Sequence, residues 1–161
     1  MRLIIDENIV IFLDKIYLHT IDLTNQNLIE KKLIKLINKI QNKYKIDLNG
    51  YYNVFIYKDN NYGLIIDMQK EELEYLDYFN NQIELNIEVI EDSFLYKIED
   101  IFCLNKYILN KCIIYKNKDN IYLKVKDTLN NFELAIILEN GEIIYGKEAN
   151  NIRKKSQIIK V

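Results

Sequence analysis

The apolar residues of this chain repeat with two different periods, and the change from one to the other limits what it can fold into. From Asn27 onward Ile29, Leu33, Leu36, Ile37, Ile40 and Tyr44 return every three or four residues, the spacing that puts them on one side of an α-helix. On either side of that segment the apolar residues come instead as short runs broken by Asn, Asp, Lys and Gly. NVFIYKDNNYGLIIDM (53–68) and CIIYKNKDNIYLKVK (112–126) each read as a strand, a tight turn and a returning strand. A chain that combines an amphipathic helix with hairpins buries the helix stripe on a sheet face, so the expected class is α+β.

Finer expectations follow along the chain. MRLIIDENIVIFL (1–13) carries apolar residues around a polar Asp6-Glu7-Asn8 break and reads as a hairpin or one long bulged strand. Asn27 and Glu30 are spaced for a capping-box-like helix start, and the helix is expected to stop near Asn49-Gly50, where glycine takes the left-handed conformation. With the hairpin closed through Asp59–Gly63, residues 1–70 make an N-terminal β-α-β-β unit.

Residues 71–93 read as an acidic connecting segment, with Glu71, Glu72, Glu74, Asp77, Glu84, Glu88, Glu91 and Asp92 and no Lys or Arg. A short helix is expected over 71–79. A strand follows in which Ile83, Leu85, Ile87 and Val89 alternate with polar residues. Residues 94–161 form a C-terminal α+β unit. It should hold a helix over about 98–109 with Ile98, Ile101, Phe102, Leu104 and Ile108 inward, the second hairpin, and a short helix over 132–138. One or two closing strands are expected, at 142–145 and 157–161. The architecture is thus two small helix-plus-antiparallel-sheet units, free to pack as one domain or to stand as two.

Composition narrows the function classes. A chain of 161 residues with 49% hydrophobic residues buries roughly 70% of the surface its unfolded form exposes. A formal net charge of -2 gives no global field to draw in nucleic acid. No apolar run approaches the roughly 20 residues that cross a bilayer, and the acidic residues of the opening stand where a signal peptide would stay apolar, so a cytoplasmic location is expected. Cys103 and Cys112 lack Cys-x-x-Cys spacing and read as buried, reduced thiols.

Catalytic chemistry needs a nucleophile beside a base, a metal cluster, or paired carboxylates. The single histidine, His19, lies far in sequence from Ser93 and Ser156. No glycine-rich phosphate loop occurs, and the acidic segment lacks the alternating Asp/Asn spacing and central glycine of a calcium loop. The expectation is a protein that is not an enzyme and that needs no metal or cofactor.

Two binding readings remain. An acidic stretch studded with aromatics is what a docking face for a basic protein partner looks like, since aromatics contribute buried area and carboxylates steer. Its residues are Glu72, Tyr75, Asp77, Tyr78 and Phe79. The other is a small RNA-binding domain using Lys31, Lys35, Lys39 and Lys43 on the basic helix face with Arg153, Lys154 and Lys155 of the basic tail. Unpaired hairpin edges also offer strand addition, to a partner peptide or to a second copy as a homodimer.

The order of elements and several short segments carry a resemblance as well. The opening MRLIIDENIVIFL, Phe94–Leu104 (FLYKIEDIFCL), Ile114-Tyr115-Lys116 with Ile121-Tyr122-Leu123, and Leu138-Glu139-Asn140-Gly141-Glu142 resemble, in turn, the first strand pair, the strand-to-helix entry with its acidic pair, the aromatic hairpin, and the Leu-Glu-aromatic-Gly-Glu turn of MecA-type adaptors. In that family Asn140 would be an aromatic, and an Arg-Gly pair would follow the first strands. The resemblance implies a low-GC bacterial protein without catalytic activity that delivers substrates to a Clp-type AAA+ unfoldase, or regulates one.

Overall fold

The computed structural model describes residues 1–72, 82–91 and 94–160. Two compact units emerge, Met1–Lys58 with Gly63–Ile90, and Asp59–Tyr62 with Glu91–Val161. Each is a five-stranded sheet with helices, so the protein is α+β.

In the first unit β1 (Arg2–Ile5) and β2 (Ile9–Asp14) form the opening hairpin, paired Ile5↔Ile9. A 3-10 turn (Lys15–His19) leads toward α1 (Gln26–Tyr44). Then β3 (Gly50–Asp59), β4 (Gly63–Glu71) and β5 (Ile83–Glu91) complete the sheet in the order β1-β2-β4-β3-β5. Strand β2 runs antiparallel to β4, with Ile11↔Ile66 and Leu13↔Leu64 opposite each other. The crossover through α1 therefore joins β2 to β3 with β4 between them. The Gly50 N–H donates to Gln82 O at 3.0 Å and the Asn86 amide to Asn53 Oδ1 at 3.1 Å, so β3 and β5 begin at the same end.

The strict period of α1 is what seats it. Ile29, Leu33, Ile37 and Ile40 are each at most 2% exposed and bury against Ile11, Leu13, Val54, Ile56, Leu64, Ile66 and Met68. Each such side chain contributes about 1.5–3 kcal/mol relative to exposure. The strand of the acidic segment behaves as its alternation predicts: Ile87 is buried and Ile83, Leu85 and Val89 pack beside the same core, while Asn86 and Glu88 face out.

Both ends of α1 differ from expectation. The N-cap is Asn25, whose side chain accepts from the Leu28 N–H at 3.3 Å, in place of a box between Asn27 and Glu30. At the other end Lys45, in place of glycine, takes the left-handed conformation (φ 55°), and the helix closes at Tyr44. The Gln41 carboxamide then accepts from the Leu48 N–H at 2.6 Å, which turns the chain out of the helix. Gly50 instead opens β3.

In the second unit β6 (Leu95–Ile98), β7 (Cys112–Asn117), β8 (Asn120–Val125), β9 (Gly141–Ile144) and β10 (Gln157–Ile159) make an antiparallel sheet in the order β10-β7-β8-β6-β9. The β7–β8 hairpin closes on Lys118 and Asp119, with Lys118 at φ 54°. Tyr115 and Tyr122, opposite each other, bury with Leu95 and Ile144 against Ala149 and Ile152 of α4 (Gly146–Lys155). The alternate row, Tyr96, Ile114 and Leu123, is buried as well. The tip of the β3–β4 hairpin belongs to this unit: the Asn61 side chain accepts from the Leu129 N–H (2.8 Å) and donates to Asp127 O (3.3 Å). Tyr62 stands edge-on to Phe94 with ring centroids 5.8 Å apart.

Here the expected helix over 98–109 is replaced by the end of β6, a 3-10 turn (Ile101–Cys103) and a five-residue α2 (Lys106–Asn110). Two short polar side chains divide it. Asp100 accepts from the Phe102 N–H (2.9 Å) and Asn105 from the Ile108 N–H (2.9 Å), so each restarts the backbone instead of letting one helix run through. Ile98, Leu104 and Ile108 stay buried, but Phe102 points out. Helix α3 (Asn131–Glu139) lies where one was expected and has a full capping box between Asn130 and Glu133. Helix α4 was not expected, because only Ala149 and Ile152 mark its buried side in a stretch rich in Asn and Lys.

Candidate binding surfaces

Glu72 is exposed just beyond β4, which extends to Glu71 and so occupies the first residue of the helix expected there. Tyr75, Asp77, Tyr78 and Phe79, with the rest of that helix, lie outside the described residues.

Lys31, Lys35, Lys39 and Lys43 are all exposed, and their four-residue spacing along α1 aligns them in one row. Lys43 lies over the Tyr44 ring at 5.3 Å. Lys154 and Lys155 are exposed in the last turn of α4, whereas Arg153 is half-buried and donates to Asn150 Oδ1. Folding thus groups the α1 lysines on one unit and the tail cations on the other.

Three large aromatic side chains of the second unit point outward. Phe102 is 92% exposed, Tyr107 78% and Phe132 73%. They occupy three successive helical segments, the 3-10 turn, α2 and α3. The last two segments are tied by Lys111, whose Nζ donates to both Glu133 carboxylate oxygens at 2.8 and 2.7 Å. The signals for outward placement were in the caps: Asp100 and Asn105 break the apolar stripe, and the Asn130–Glu133 box leaves Phe132 in the exposed first turn. Sheet edges add exposed apolar residues, with Ile4 and Ile5 on β1 and Ile158 and Ile159 on β10.

The titratable groups divide into bound and isolated ones. Glu133 is held below its ordinary range, first by its Lys111 hydrogen bonds and then by the Asn130 N–H. The Cys103 thiol is exposed, which corrects the expectation of two buried cysteines, and donates to Asp100 Oδ2, which raises its pKa. Cys112 is buried, and burial raises its thiol to about 11. His19 is exposed at the end of the first 3-10 turn. Tyr96 is fully buried with its hydroxyl unpaired among the described residues; its neighbour Asp59 has Oδ1 occupied by the Asn61 and Tyr62 amides at 2.8 Å. Among the described residues no three His, Cys, Asp or Glu side chains converge as a metal site, and no helix is long and apolar enough to cross a membrane. No family model, curated protein or solved structure matches this chain.

Proposed function

We propose that this protein is a non-enzymatic binding module that acts by protein–protein contact, as an adaptor or an inhibitor. The observation that carries the reading is the outward placement of Phe102, Tyr107 and Phe132. Leaving a large aromatic in water forgoes about 1.5–3 kcal/mol per side chain, and aromatic side chains are the usual anchors of interfaces. Phe102 lies inside the segment 94–104 that resembles MecA-type adaptors, and that resemblance supports a Clp-type AAA+ unfoldase, or one of its substrates, as the partner in a bacterial cytoplasm. Glu72, Tyr75, Asp77, Tyr78 and Phe79 are proposed as a second contact. The exposed isoleucines of β1 and β10 support homodimerisation by edge pairing.

The test is capture of partners by the tagged protein compared with a Phe102→Ala, Tyr107→Ala, Phe132→Ala variant. All three side chains are exposed, so the variant is expected to fold. Partner loss supports this face; equal capture by both proteins excludes it. A second reading, RNA binding, is favoured by the α1 lysine row. It predicts an electrophoretic shift that weakens steeply with salt, and absence of a shift at low salt removes it.

A further inference from the structure

A cleft of about 270 Å³ opens on the first unit between α1 and the segment that follows β2. Its floor is apolar, made by Leu13, Tyr17, Ile21 and Leu36, and its rim carries Lys32, Lys35 and Lys39. From Lys32 to Lys39 the helix rises about 10 Å. All three lysines are exposed, and among the described residues none makes an ion pair. The nearby carboxylate of Asp22 is bonded to the Thr24 hydroxyl and N–H; these bonds hold its pKa down, with Lys32 adding a smaller effect. The rim is thus a row of positive charge without an ion pair among the described residues, eased only at its Lys32 end by Asp22, beside a small apolar hollow.

We infer that this cleft docks an acidic peptide segment that inserts a single large apolar side chain between flanking carboxylates. Two features select that occupant. The hollow, about 270 Å³ with an apolar floor, has room for one large anchoring side chain. Three cations spread over about two helical turns exceed what one small anion needs, but match carboxylates spaced along an extended chain. The cleft is built by residues of the first unit alone and the exposed aromatics belong to the second, so the inference does not rest on the proposed function.

The probe is a fluorescein-labelled Glu-Glu-Phe-Glu-Glu peptide, titrated by anisotropy with the full chain at low salt. Its controls are a Glu-Glu-Gly-Glu-Glu peptide and a single-stranded oligonucleotide of equal charge. The phenylalanine peptide is expected to bind about ten- to a hundredfold more tightly than the glycine peptide, from the transfer energy of the ring. A Lys35→Glu, Lys39→Glu variant, altered only at exposed positions, is expected to weaken binding by about tenfold or more. Equal binding of both peptides would show charge attraction without the cleft and overturn the inference. Failure of both peptides to bind would also overturn it. Oligonucleotide binding that displaces the peptide and disappears in the same variant would reassign the lysine row to nucleic acid.

Discussion

Gly63 and Gly50 have similar backbones but different surroundings, so an alanine at each separates strain from collision. Both occupy a region that residues with a side chain avoid, at φ 133° and 143°. Holding an alanine there costs about 1–3 kcal/mol. At Gly63 an added Cβ would also lie 2.3 Å from Leu13 O and 2.7 Å from Asp14 O. Those are backbone atoms of the facing strand, fixed by the Asp14↔Gly63 and Leu13↔Leu64 register. Relieving the overlap means moving β2 off β4 and disturbing the core under α1, at about 1–3 kcal/mol more. At Gly50 the nearest atoms to the Cβ all belong to the Lys70 side chain, closest at Cε, 2.8 Å, the far end of a chain that swings away. Gly63→Ala is therefore expected to cost about 2–6 kcal/mol and Gly50→Ala about 1–3 kcal/mol, against the 5–15 kcal/mol usual for a domain. Urea unfolding followed by circular dichroism measures the totals. Hydrogen exchange at β2 and β4 amides locates the loss in the first unit. A Gly63→Ala variant no less stable than Gly50→Ala would show that the strand collision is absent.

Other outcomes follow from the same geometry. Ile37→Ala, at a position 1% exposed on α1, should lower stability by about 2–5 kcal/mol through the cavity it leaves, read from the urea midpoint with the slope unchanged. In the native protein a thiol reagent should label Cys103 well before Cys112, which is buried and poorly ionised; mass mapping showing equal rates would contradict the burial. Because the Glu133 pKa is lowered on folding, the stability its charge contributes is fully present above its ordinary 4.5 and is lost as pH falls through the lower folded value. The gap in thermal midpoint between the wild type and Glu133→Gln should thus be flat above pH 5 and narrow below about 4.5; a gap that widens in acid would contradict it.

Legibility in the sequence followed how many residues carried each signal. The stripe from Ile29 to Ile40 repeats often enough that local caps do not alter its meaning, and α1 lies on the sheet as the period requires. The two hairpins were legible for the same reason, with alternation and turn residues agreeing. Where one side chain decides, the pattern misled. Asp100 and Asn105 each take a backbone amide and divide a stretch whose apolar spacing suits a single helix, which sends Phe102 outward. Helix α4 rests on Ala149 and Ile152 alone, too little apolar surface to reveal a period. The β5 strand was visible by alternation, but its membership of the first sheet depends on pairing beside β3, a long-range choice that its own residues do not encode. The aromatic face was hidden for a similar reason, since exposure of Phe132 depends on a cap and exposure of Phe102 on a broken helix.

Whether Phe102, Tyr107 and Phe132 hold a protein partner is decided by quantitative capture from host lysate. Wild-type protein and the Phe102→Ala, Tyr107→Ala, Phe132→Ala variant are compared at low and moderate salt, with bound protein and RNA both counted. One stoichiometric protein partner should survive moderate salt on the wild type and be lost from the variant. Equal protein recovery by both, or recovery of RNA alone that disappears as salt rises, would contradict it.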